Sequence, residues 1–112
     1  MFWHQIRPQT EFRVCAQRPI SEAEMRVFTS LYTPIIHSRA YSLYLFLYHL
    51  LFPDLWRSEA FSHRFLMDAL GLNLKEVVSA REQLEAVGLL SAYCLKEMDC
   101  LEYRLLPPLT PY

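Results

Sequence analysis

Three cysteines and four histidines are the side chains of this 112-residue chain best suited to bind a metal or act as nucleophiles. Their spacing argues against both. Cys15, Cys94 and Cys100 form no Cys-x-x-Cys pair. His4, His37, His49 and His63 are scattered, and none stands at ligand spacing from a cysteine. Free thiols in a reducing compartment are expected, although Cys94 and Cys100 could face each other across a hairpin and a bridge there stays geometrically open. Glu97 and Asp99 sit two residues apart in a polar turn and read as solvated carboxylates, not an acid–base pair. His63 opens a short helix beside Phe61 and Arg64 with no paired nucleophile, so it reads as a surface or partly packed histidine. Phosphate-loop, GxSxG and HExxH patterns are absent. Neither an enzyme nor a cofactor is expected.

A different chemistry is raised by "LNLKEVVSAREQLEAVGLL", residues 72–90, which has the outline of a helix that reads DNA. Its charge has the wrong sign. Lys75 and Arg81 are outnumbered by Glu76, Glu82 and Glu85. The hairpin-like segment after it is also acidic by one charge, with Lys96 and Arg104 against Glu97, Asp99 and Glu102. Phosphates line both sides of a duplex groove, so reading elements arrive with several flanking bases. The candidates for weak DNA contact are Arg57, Arg64, Lys75 and Arg81, and a dimer could gather the first three into one patch. The whole chain carries a formal charge of −1, which gives no strong hold on phosphates.

The elements that would position these residues can be read from pattern. Half the chain is apolar, with only two glycines, which describes one folded domain with one core. The longest apolar run, "YSLYLFLYHLLF", is a dozen residues, short of the roughly 18 needed to span a bilayer. No signal-peptide core opens the chain, and the expected compartment is the cytoplasm. "FRVCAQ" reads as a strand or extended arm, with Val14 inward and Arg13 outward. Ser21-x-x-Glu24 is a capping box opening a first helix, with Ile20 and Met25 as a staple and Met25, Phe28, Leu31 and Tyr32 on its apolar face. Pro34 ends or bends it. A second helix begins after Ser38, its expected cap, and stops before Pro53. Ser62 caps a short third helix that closes at Gly71. Asn73-x-x-Glu76 opens a fourth, with Leu74, Val77, Ala80, Leu84 and Val87 as its buried stripe. Two alternating segments around a turn at 96–99 complete an α+β, mainly α, winged helix-turn-helix with an extra N-terminal strand or arm. Residues 1–106 are read as this domain. The proline-rich 107–112 is read as the start of a linker to a further domain.

The second helix is apolar on every side, which suits a central helix or one with a second, intermolecular contact. Tyr41, Tyr44, Tyr48 and Phe52 form an amphipathic row suited to a homo-oligomer or partner contact, with Trp3 as a further anchor. The N-terminal segment could instead cover that row, in whole or in part.

Several stretches together resemble the Gram-positive primosomal DnaB family. "FRVCAQRPISEAEMRVFTSLYTPIIHSRAYSLYLFLYHLL" looks like that family's opening. "FLMDALGLNLKEVVSAREQLEAVGLLSAY" and "YRLLPPLTP" look like its helix-turn-helix and its proline-rich close. The likeness covers residues 12–111; His37 departs from it, where the family often has glycine. The family is distinct from the ring-shaped helicase of the same name. The resemblance implies helicase loading and primosome assembly in replication initiation and restart, with other primosome proteins as partners. It also implies membrane or nucleoid association of the full-length protein, and single-stranded DNA contact through a separate region. It makes the N-terminal winged helix an oligomerisation and partner-binding module. The runner-up reading is a DNA-binding winged-helix transcription regulator.

Overall fold

A computed structural model describes residues 6–95 and 100–108. The order is β1 (Glu11–Cys15), α1 (Glu22–Val27), a π-helical turn (Phe28–Tyr32), α2 (Ser38–Leu50), β2 (Phe61–Ser62), α3 (His63–Leu70), α4 (Leu74–Ala86), β3 (Leu90–Leu95) and β4 (Cys100–Leu105). This is a winged helix built on a four-stranded sheet of order β2-β1-β4-β3.

The N-terminal strand is no loose arm. It sits inside the sheet, antiparallel to β2 and parallel to β4. Phe12 and Val14 face the core, while Glu11 and Arg13 face out. Phe12 is fully buried, its ring 5.4 Å from Tyr103 and 5.2 Å from His63. Beyond β2's two residues, Ser58 extends the pairing. Its N–H donates to the Val14 carbonyl at 2.8 Å, and its hydroxyl accepts from the Val14 N–H at 2.9 Å.

Both capping boxes form. Ser21 with Glu24 starts α1, and Asn73 with Glu76 starts α4. The cap of α2 differs from expectation. His37, not Ser38, occupies the cap position and lends no side chain to it. Its backbone N–H instead donates to Gln83 Oε1 of α4 at 2.8 Å. Ser62 caps α3 as expected, and Gly71 closes it in the left-handed region at φ 66°, a conformation glycine adopts without steric cost.

The first helix widens where Pro34 cannot donate to the carbonyl four residues back. The π turn buries both Phe28 and Tyr32 and turns Leu31 out, so Leu31 is not on the apolar face its spacing suggested. The α4 stripe is right at Val77, Ala80 and Leu84, with Leu74 and Val87 partly buried, and Arg81 joins it unexpectedly.

The hairpin register pairs Cys94 with Leu101 and Leu95 with Cys100. That one-residue offset puts Cys94 and Cys100 on opposite faces of the sheet, so they cannot bridge. None of the three cysteines is in a disulfide among the described residues. The turn expected at 96–99 lies outside the described residues. The chain stays attached past residue 106: Leu106 N–H donates to the Leu89 carbonyl at 3.0 Å, and Pro108 is buried.

Candidate partner-contact surface

The row expected along α2 divides in two. Tyr44 is a core residue and leaves the surface row. It is fully buried, its ring lies 4.4 Å from Phe28, and its hydroxyl donates to the Leu106 carbonyl at 3.0 Å. Burial raises its pKa above the usual tyrosine range. Tyr41 is half-buried and stacks on Phe28 at 4.9 Å with planes 11° apart. Phe28, at the start of the π turn and not in the N-terminal strand segment, therefore covers this half of the row.

The other half is open. Tyr48 is half-buried, with Trp56 6.1 Å away and His49 5.2 Å away. Phe52 is 48% exposed and Leu55 62% exposed. A tight turn holds them together: Leu55 and Trp56 N–H groups both donate to the Phe52 carbonyl, and Phe52 N–H donates to the Arg57 carbonyl. The turn needs Trp56 at φ 52°, a left-handed conformation costly for a bulky aromatic. Sequence reasoning places Trp56 against the body of the domain, where it is partly buried, but missed Leu55 and the left-handed backbone of Trp56. The signal was "FPDLW", an apolar pair just after a Pro-Asp turn. Trp3 lies outside the described residues.

A second aromatic group lies beside α3. Phe65 is 39% exposed and stacks on Phe61 at 4.9 Å, with Phe46 of α2 5.6 Å away. Leu31 and Ile35 are exposed on the turn before α2.

The DNA-contact candidates do not converge. Arg81 is 6% exposed and pairs with Glu85 at 2.8 Å, so it is a core residue and not a groove contact. Arg64 and Lys75 are exposed on α3 and α4, behind the inner face of the sheet. Arg57 bridges to Cys15, whose side chain is on the outer face. The helix at the reading position is also tied to α2. Arg39 pairs with Glu76 at 2.7 Å, and Gln83 is committed to His37. Lys75, Ser79, Glu82 and Ala86 remain exposed there, and a single base among them cannot hold a phosphate track.

His63 is not a surface residue. It is fully buried, with Nδ1–H donating to the Thr10 carbonyl at 2.7 Å and Nε2 accepting from the Tyr103 hydroxyl at 2.5 Å. Desolvation lowers its pKa and pushes that of Tyr103 up to about 12. This links the N-terminal segment, α3 and β4 as a structural device.

Comparison with known proteins agrees with this geometry. Residues 6–112 match the family model of the DnaB N-terminal winged helix domain. The chain is 32% identical over 88 residues to the replicative helicase loading/DNA remodeling protein DnaB of Staphylococcus aureus, covering 79% of this chain and 19% of that protein. It therefore spans about a fifth of that curated relative's length. The crystal structure of primosome protein DnaB (residues 1–300) from Geobacillus stearothermophilus superposes with a TM-score of 0.80 at 32% identity, over 96% of this chain and 41% of that one. With its parallel β1 enclosed in the sheet and its acidic fourth helix, this chain belongs to the DnaB N-terminal winged helix domain family.

Proposed function

We propose that this domain is an oligomerisation and protein-contact module of a replication protein that assists helicase loading in primosome assembly. The replication role rests on the family and on relatives named for helicase loading and the primosome. The contact role rests on one observation: Tyr48, Phe52, Leu55 and Trp56 form a contiguous, partly exposed aromatic and aliphatic face at the end of α2. Such faces mark contact sites when rimmed by polar residues. The acidic, α2-tethered fourth helix supports protein contact over groove reading. No helix among the described residues is long and apolar enough to cross a membrane.

The test is the mass of the chain by light scattering at micromolar concentration. A dimer or larger species is expected, and Leu55→Glu should shift it to monomer. Leu55 is exposed, so the fold survives that change. A folded strict monomer would remove the self-association reading.

A further inference from the structure

We propose that a cleft on the outer face of the sheet is a binding site for an acidic peptide segment of a partner protein. The cleft measures about 490 Å³ and lies between the end of β1, the loop after it, the turn at 55–58 and β4. Arg57, Cys15 and Arg104 stand in one row across it, because Cys15 bridges to Arg57 on one side and is the register partner of Arg104 on the other. Arg13 lies two residues back along β1 on the same face. Arg18 closes the rim.

Four of the chain's eleven Lys and Arg thus line one cleft, against a single acid there, Glu102, of the chain's twelve. The remaining surface is net acidic. Two of the four guanidinium groups are committed: Arg18 pairs with Glu24 at 2.8 Å and Arg104 with Glu102 at 2.6 Å. Arg13 and Arg57 make no ion pair or side-chain hydrogen bond among the described residues. Unspent guanidinium forks suit the paired oxygens of a carboxylate.

A peptide fits better than a nucleic acid. Glu102 in the cleft wall and the acidic surroundings repel a continuous phosphate backbone but tolerate spaced carboxylates. The walls also carry Leu55 and Trp56, apolar surface that a peptide's own side chains can cover. The Cys15 thiol has no nucleophilic part here, since burial and Glu102 raise its pKa and keep it protonated. The cleft shares Leu55 and Trp56 with the proposed self-association face, whereas its arginines lie outside that face, so Arg13 and Arg57 variants separate the two readings. A monomer with this site intact would still bind its peptide.

The experiment is a fluorescence-anisotropy titration of the intact chain. The probes are a fluorescein-labelled Glu-rich peptide of about ten residues with two leucines, and a labelled oligothymidine of equal charge. The peptide should bind, and Arg57→Glu or Arg13→Glu should weaken it by on the order of tenfold. Lys75→Glu, on α4, should leave it unchanged. Circular dichroism checks each fold, and the milder Arg13→Gln serves if a charge reversal unfolds the chain. No peptide binding, binding indifferent to both arginines, or tighter oligothymidine binding through the same arginines would each overturn the proposal.

Discussion

The buried imidazole of His63 gives the most specific forecast at the scale of single residues. Its Nδ1–H faces the Thr10 carbonyl, which can only accept, so Nε2 must be the bare nitrogen that takes the Tyr103 proton. Adding a proton at Nε2 would break that bond, bury a charge and set it against Arg81 across the core. The folded pKa is therefore below the unfolded value near 6.5. Between those two values the unfolded chain binds more protons. Stability is then complete above about pH 6.5 and is lost as pH falls through the window below it. Thermal melts should fall between about pH 7.5 and 5, and His63→Gln should flatten that dependence. An equally steep fall in the variant would show that other groups carry it. Phe12, enclosed by Phe61, His63 and Tyr103, offers a second measure. Phe12→Ala should cost about 3–5 kcal/mol in denaturant unfolding, a large part of the roughly 5–15 kcal/mol that holds such a domain.

Among the elements, β1 and α2 carry the fold's departures from a plain winged helix. The first strand hydrogen-bonds on both sides, and its parallel partner β4 is the last strand among the described residues. Removing residues 1–16 should leave β2 without a neighbour, strip β4 of one of its two and expose the Phe12 socket. The expected result is loss of cooperative unfolding by circular dichroism, whereas a true peripheral arm would be dispensable. On α2 the surface row behaves as two segments. Tyr44→Glu buries an unpaired charge and should unfold the domain. Tyr48→Glu, nearer the surface, should keep the helix signal while weakening association. If both variants fold and both stay associated, α2 is not the contact.

At the scale of the whole molecule, charge decides between partners. The chain is −1 overall, and its bases gather on the outer face of the sheet, not along α4. A duplex would have to approach α4 past Glu82 and the Arg39–Glu76 pair. Binding of a generic duplex at low salt should therefore be negligible for this domain alone. A salt-sensitive nanomolar complex would favour the regulator reading instead. Because the domain spans about a fifth of its curated relative, DNA engagement by a longer protein is compatible with that result.

The sequence alone determined the features that depend on near neighbours. Capping boxes at Ser21 and Asn73, the glycine stop at Gly71 and the alternation of β3 and β4 are all settled within a few residues by hydrogen-bonding groups and pleat. The acidic sign of the fourth helix was legible for the same reason, since it needs only composition. What required the tertiary structure were choices between equivalent local options. Tyr41, Tyr44 and Tyr48 share one chemistry and a helical spacing, and only the insertion of Phe28 sends Tyr44 inward and leaves Tyr48 near solvent. Arg81 reads as a surface base until β4 brings Tyr103 beside it. The arginine cleft is still further from sequence view. Arg13, Arg57 and Arg104 are far apart along the chain until the bridge at Cys15 and the parallel register of β1 with β4 place them on one face. Strand pairing is non-local, so its register, and every surface assembled by it, is set by how the hydrophobic faces close on one another.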